Sequence, residues 1–396
     1  MPSTDPLAGL ISELVRIDSV NPTLVPGGAG ESAIASFVAD DLRTSGLEVE
    51  TWEVAPGRPD VLGVLPGTRG APGLLLCGHT DTVGAAGMAV PPFDGRVEGD
   101  RVFGRGAIDM KAGLAAILDC ARTLARGRRL EGDLVVAMVA DEEDRSLGTE
   151  SLVQRLRWRG LRPAAGIIPE PTDLILVHAH KGFAWGRIQT RGRAAHGSDH
   201  ERGVDAIALM GRAIQSLAAL DRDVLPGRTH PLLGRGSLHC SLIAGGGELS
   251  TYPDRCTLDL ERRLLPGETA GTLREEVEAI LSGLRTSTDF QASFEPLFDR
   301  VPYELPADAP IVHAVDAAAA RVLGARPRHQ GMSGWTDAQL LGAAGVPTVL
   351  YGPGAGPEPG EGGIGLAHSA LEYASVRSAR SCARVLAAAA ERLCGG

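Results

Sequence analysis

The run Asp133-Leu134-Val135-Val136-Ala137-Met138-Val139-Ala140, followed at once by Asp141-Glu142-Glu143-Asp144, is the most informative stretch of the chain. Its apolar residues do not alternate with polar ones. That is the pattern of a strand covered on both faces, as at the centre of a parallel sheet. Upstream, residues 110–124 carry Leu114, Ile117, Leu118 and Ala121 at helical spacing. Residues 47–54, 61–65 and 73–77 read as strands. Two helices precede them, one with Leu7, Leu10, Ile11, Leu14 and Val15 in phase. The other carries Ile34, Phe37, Val38 and Leu42 and stops at Gly46. Strands alternating with helices predict an α/β fold, a mixed but mostly parallel sheet flanked by helices.

The texture changes at Lys181-Gly182. Residues 183–191 alternate like a one-sided strand. A helix at 204–217, strands at 238–244 and 255–263, a helix at 268–284 and a strand ending near Phe294 follow. The order βαββαβ predicts a small split α+β sheet with two helices on one face. The α/β texture then resumes with a helix at 311–323 and a strand at 346–351. The expected organisation is a catalytic domain, 1–181 and 295–396, interrupted by an inserted domain, 182–294. The Gly/Pro-rich segment 352–365 is expected to form a surface or rim loop.

A chain of 396 residues suits two domains, and 43% apolar residues suffice for a large core. The net charge of -10 argues against a nucleic-acid binder, whose phosphate contacts need a basic face. Small anionic substrates remain open, because a metal or one arginine reverses the local sign. The segment Met1 to Pro6 lacks the basic and apolar stretches of a secretory signal. No apolar run approaches the roughly 20 residues needed to cross a bilayer. The six cysteines are scattered with no C-x-x-C pair, so reduced thiols and a cytoplasmic location are expected.

Five places can carry chemistry. The strand at 73–77 runs into Gly78-His79-Thr80-Asp81, at the strand end where open α/β sheets bind ligands. A metal-bound imidazole needs an acceptor for its second N–H, and a carboxylate two residues away can supply one. Asp109 stands before a helix, either as its N-cap or as a carboxylate bridging two cations. The acids 141–144 repel one another unless cations or solvent relieve them. They form either a solvated turn or a pair in which one carboxylate binds metal and its neighbour acts as base. Glu170 sits between Pro169 and Pro171 on a stiff backbone, and His368 follows the Gly/Pro segment. Each alone has an ordinary structural explanation. Together, His79, Asp109, Glu143, Glu170 and His368 form a thiolate-free set suited to two zinc ions bridged by a carboxylate, with cobalt or manganese as alternatives.

The chain resembles the zinc-dependent deacylases and carboxypeptidases that include acetylornithine deacetylase, succinyl-diaminopimelate desuccinylase, aminoacylase and glutamate carboxypeptidase. The resemblance rests on His79-Thr80-Asp81, Gly106-x-x-Asp109-Met110-Lys111, Asp141-Glu142-Glu143, Pro169-Glu170-Pro171-Thr172, Ala195-His196, Gly245-Gly246, Thr336-Asp337, Gly345-Val346-Pro347-Thr348 and His368-x-x-x-Glu372. It implies that Asp109 bridges two metals, with His79 and Glu170 on one and Glu143 and His368 on the other. Asp81 then orients His79, and Glu142 is the base that takes a proton from water and returns it to the leaving nitrogen. His196 matches a lid histidine that stabilises the oxyanion across a homodimer formed by the inserted domain. Arg263 matches an arginine that grips the substrate carboxylate as a bidentate pair. Its alternative is a surface ion pair. Ser250 stands where the family often has asparagine, which bears on the acyl group accepted. Glutamate at position 170 accords with deacylases and carboxypeptidases.

The resemblance implies a deacylase of N-acyl amino acids, acetylornithine deacetylase-like, with a carboxypeptidase or dipeptidase as alternative. The expected partners are an N-acyl amino acid or short peptide and a second copy of the chain, with no nucleic acid and no membrane. A catalytically silent metal-stabilised amino-acid or peptide binder would lack the base or a ligand, and neither is missing. A nucleotide cradle at Gly352-Pro353-Gly354-Ala355-Gly356 is disfavoured, since it lacks the lysine-serine ending.

Overall fold

The computed structural model describes residues 5–69, 71–127, 130–285, 290–356, 358–360 and 364–395. The residues expected to exclude a signal at positions 1–4, and 357 and 361–363 of the Gly/Pro segment, lie outside the described residues. The chain divides into two compact units. One comprises 1–178, 305–330 and 336–396, and the other 179–304 and 331–335.

The first unit is built on a twisted mixed sheet. Its strands lie in the order Glu48–Ala55, Arg58–Leu65, Gly132–Val139, Ala71–His79, Ala165–Ile168, Thr348–Leu350 and Leu176–His180. The four from Gly132–Val139 to Thr348–Leu350 run parallel. The flanking pairs are antiparallel. Gly132–Val139 is buried from its second residue to its last, as its unbroken apolar run requires. The helices Ala112–Arg126 and Val376–Cys394 bury broad small-residue faces, which lets them lie close to other elements. The parallel strands end on one edge, delivering His79, Asp141 to Asp144 and Glu170 together.

Three local expectations are corrected. The regular helix begins at Ala112, not 110, because residues Ala107–Lys111 form an irregular turn in which Asp109 and Met110 leave helical angles. The Asp109–Met110 peptide is cis. Second, Gly352 to Ala355 is buried, and among the described residues of the segment 358–360 and 365 are exposed. Burial is possible because the backbone there is satisfied: Gly352 N donates to Thr172 Oγ1 at 2.9 Å and Gly354 N to Ser378 Oγ at 2.8 Å. Third, the strand expected to end near Phe294 continues to Arg300, with an irregularity between Pro296 and Phe298.

The second unit is a four-stranded antiparallel sheet in the order Ser237–Gly245, Arg255–Leu264, Gly182–Arg191 and Gln291–Arg300. The helices Ala206–Ala219 and Ala270–Leu284 pack with it around Ile188, Leu258, Leu260, Met210, Leu217 and Val277. The strands alternate buried and exposed residues, as a sheet with one covered face must. Asp205 caps the first helix through Ile207 N and Ala208 N, and Thr269 caps the second.

Candidate metal centre

On the carboxyl edge of the parallel strands, five side chains converge. The donor atoms of His79, Asp109 and Glu170 lie within 4.8 Å of one another, as do those of Asp109, Glu143 and His368. Asp109 belongs to both groups. Its Oδ1 is 3.2 Å from His79 Nε2, and its Oδ2 is 3.4 Å from His368 Nε2. His368 Nε2 is also 3.1 Å from Glu143 Oε2. Asp109 does not cap the helix after it, which has Lys111 at that position and no side-chain cap.

The local backbone explains these placements. Pro169-Glu170 passes between Gly113 and Gly352, where any Cβ would collide with the carbonyls of Pro169 or Glu170. Glu372, fully buried, accepts from Ile108 N at 3.1 Å and Asp109 N at 3.2 Å. Arg105 balances it at 2.6 Å. His79 Nδ1 finds its nearest acceptor in the main-chain oxygen of Asp81 at 3.0 Å, with the Asp81 carboxylate at 3.7 Å. Asp81 Oδ1 accepts from Glu142 N at 3.1 Å and Oδ2 from Glu143 N at 3.2 Å. Glu142 itself belongs to neither ligand group.

The electrostatics are those of an anionic cage. Burial and the surrounding carboxylates of Asp109, Glu143 and Asp337 push Glu170 up to about 8, against the pull of His79. Burial raises Glu142 well above the ordinary carboxylate range and raises Glu143 as well. Burial also lifts Asp337 to about 6 despite its hydrogen bond from Thr149. The bonds that the imidazole donates to the Asp109 and Glu143 carboxylates raise His368 to about 10. Burial opposes a charged His79, but Asp109 and the acids around it outweigh burial and raise it strongly. One oxygen of Glu170 is buried with no hydrogen-bond partner. An orphaned buried carboxylate oxygen beside four further nitrogen and oxygen donors is what a divalent cation satisfies, so the residues fit a metal pair.

The remaining expected residues stand in the second unit. His196 is exposed and bridges to Thr251, while Gly197 N donates to Ser250 O at 2.7 Å. The structure thus joins the His196 and Ser250 turns. His196 Nδ1 lies 2.7 Å from Ser198 Oγ and 3.2 Å from Ser198 N, so Ser198 holds this side of the ring. Arg263 donates Nε to Glu261 Oε1 at 2.7 Å and lies over the Phe183 ring at 5.4 Å. The neighbouring Arg262 is buried on Glu268 and Glu276. Sequence reasoning missed the buried partners Asn21, Glu31, Arg58 and Arg105. A polar residue opposed by nothing nearby in sequence gives no signal of burial; only Ser19-Val20-Asn21-Pro22, a polar break after an amphipathic helix, was open to notice.

A site of nitrogen and oxygen donors at the carboxyl edge of a parallel sheet, with one carboxylate left outside the ligand groups, defines the class of metal-dependent hydrolases. Residues 75–392 match peptidase family M20/M25/M40, and the chain belongs to that family. It is 31% identical over 353 residues to acetylornithine deacetylase of Proteus mirabilis, across 87% of this chain and 88% of that one. Among solved structures it is similar to a tripeptidase from Staphylococcus aureus, with TM-score 0.79 and 20% identity over 98% of each chain. It is similar also to an M20 family metallo-carboxypeptidase from Sulfolobus solfataricus, with TM-score 0.79 and 17% identity over 98% of each chain. The protein is a hydrolase of amide or peptide bonds. Among the described residues no helix is long and apolar enough to cross a membrane.

Proposed function

We propose that the protein is a two-zinc deacylase of N-acyl amino acids, acetylornithine deacetylase-like, with cobalt or manganese able to replace zinc. The reading rests on one observation, the meeting of two donor triads at Asp109. His79 and Glu170 would complete one ion's ligands, and Glu143 and His368 the other's. When bound, such a pair supplies Lewis acidity and a water of lowered pKa. Glu142, outside both donor triads, would be the group that takes a proton from water and returns it to the leaving nitrogen. The acyl-amino-acid substrate class is supported by 31% identity to an acetylornithine deacetylase over nearly full length.

Residues 182–294 are read as a lid and dimerisation insert. The edge strand Ser237–Gly245 pairs on one side only among the described residues and exposes Leu242 and Ile243 at 68% and 57%. A long apolar edge is normally covered, and a second copy is the cover we propose. His196 is read as the oxyanion donor in the partner's site, Arg263 as the carboxylate anchor, and Ser250 as a contact to the acyl part. All six cysteines are free, five of them buried, which supports the cytoplasm.

Metal analysis combined with a panel of N-acetyl, N-succinyl and dipeptide substrates tests this reading. Up to two metal ions per chain and fastest turnover of an N-acyl amino acid are expected. Fastest turnover of dipeptides would move the protein to the dipeptidase side of the family, and full activity without metal would overturn the site.

A further inference from the structure

Behind the rim Asp81 joins a buried polar cluster whose other members, Asn21, Arg58 and Asp141, have no part in the proposed reaction. Asn21 and Asp141 are 0% exposed, Asp81 1% and Arg58 4%. Asn21 Nδ2 donates to Asp81 Oδ2 at 2.8 Å and to Asp141 Oδ1 at 3.0 Å. Its Oδ1 accepts from Thr23 N at 2.9 Å. Every part of the amide is thereby committed, and a flip would turn its oxygen onto two carboxylates. Arg58 Nη1 donates to the same Asp141 oxygen at 2.7 Å and to Thr23 Oγ1 at 2.9 Å. Its other edge lies on Glu31, with Nη2 at 2.5 Å and Nε at 2.9 Å. Asp141 holds a left-handed backbone, φ 71°, immediately before Glu142.

We propose that Asn21, backed by Arg58, is a positioning residue that sets where Glu142 and Glu143 stand relative to His79. The inference rests on the reading of Glu142 as base and Glu143 as ligand. Asp81 is the joint: its main chain meets the His79 imidazole, and its carboxylate receives the amides of Glu142 and Glu143. Asn21 is the one neutral group that holds the Asp81 and Asp141 carboxylates side by side. Without it the two charges repel in a buried site. The Asp81 carboxylate then shifts, and the left-handed turn at Asp141 loses a bond that holds it. Arg58 compensates Asp141 and Glu31 from behind, so its role is the same at one remove.

The test uses Asn21→Ala, Asn21→Asp and Arg58→Lys in the full-length protein. Three quantities are read: kcat and KM, both zinc affinities by competition with a chromophoric chelator, and the melting temperature. For Asn21→Ala, kcat should fall about 10²-fold with KM little changed, the scale of a misplacement near 1 Å. At least one zinc affinity should weaken by about 10- to 100-fold, as for other outer-shell partners. Asn21→Asp, which adds a third carboxylate to the cluster, should be at least as damaging. In a Glu142→Ala background, Asn21→Ala should cost little further activity while the zinc weakening persists. Should Asn21→Ala not fold, Asn21→Ser, which keeps one donor, is judged by the same criteria. Variants that melt earlier but keep kcat and both zinc affinities would show a plain core asparagine and overturn the proposal. If Glu142→Ala itself retains full turnover, the reading of the base has failed, and the zinc titration still decides the role of Asn21.

Discussion

The carboxyl edge of the main sheet and the His196–Ser250 turns of the second unit are built on opposite principles. At the first, side chains from five separate segments meet within a few ångströms, each fixed by buried partners such as Glu372 and Asp81. At the second, His196 and Ser250 are exposed and tied chiefly through main chain, and Arg263 is held by one bond to Glu261. The backbone of the first is fixed by buried partners, while its clustered carboxylates still call for a cation or protons. The second leaves His196 and Ser250 open to solvent. Chemistry is therefore expected to depend steeply on the edge, and recognition more shallowly on the turns.

The largest expected break is at the edge. Glu142→Ala should retain metal and lose turnover by about 10²- to 10⁴-fold, the scale of a positioned base. Glu143→Ala should instead lose one metal ion per chain. Metal analysis beside kcat separates them, and the reverse pattern would show the two roles exchanged. Next in size is His196→Ala, which should lower kcat by about 10²- to 10³-fold with metal unchanged, as for an oxyanion donor. Mixing inactive His196→Ala subunits with inactive Glu142→Ala subunits sharpens the comparison. If the histidine serves the partner's site, one site of the mixed dimer has neither defect and activity returns. A mixture that stays dead would place the histidine's action within its own chain.

The same contrast explains what could be read from the sequence. The strand at 133–140 and the βαββαβ order were legible, because burial imposes apolar runs and alternation that survive in one dimension. His79, Asp109, Glu143, Glu170 and His368 were nameable as a set because four of them follow predicted strands or precede a predicted helix, and His368 closes the Gly/Pro segment. The irregular turn at Ala107–Lys111 was not, since helical spacing continues through it while Asp109 bends away toward two histidines. Nor was the burial of Gly352 to Ala355, which depends on hydroxyls of Thr172 and Ser378 far away in sequence. Arg58 gave no hint, because its partners Glu31 and Asp141 are 27 and 83 residues away.

A smaller effect is expected at Arg263. Glu261 occupies its Nε, and the guanidinium lies over Phe183, which leaves the terminal nitrogens to face a ligand. Arg263→Ala should raise KM for an N-acetyl amino acid by about 10- to 100-fold, the worth of a charged hydrogen bond. The corresponding amide should be nearly unaffected. Arg263→Lys should rescue poorly, because an ammonium lacks the planar fork. Equal losses on acid and amide would make Arg263 a surface ion pair with Glu261.

The smallest effect concerns stability and pH, and its sign follows from the cage. In the metal-free fold Glu170 titrates at about 8, above its ordinary 4.5. The folded state therefore holds a proton that the unfolded chain has lost, and stability falls as pH rises between those values. His368, raised to about 10 from 6.5, acts in the same direction: its contribution is complete below 6.5 and is lost as pH climbs through 10. Asp109 is depressed, so its contribution disappears only on acidification below its ordinary 3.8 and does not enter this window. Lys111, lowered by burial to about 7, acts the opposite way above that pH, so chelated protein should melt progressively earlier from pH 6 to pH 8, where Glu170 and His368 together outweigh it. If zinc takes the place of those protons, the rise in melting temperature on adding zinc should grow over the same range. Each kcal/mol corresponds to only about 2–4 °C in large domains, so the trend should span several degrees. A zinc-induced shift that stays constant from pH 6 to 8 would mean that the ions do not displace protons from this cage. A metal-free protein that melts later at pH 8 than at pH 6 would mean that the Glu170 carboxylate is not held protonated by burial.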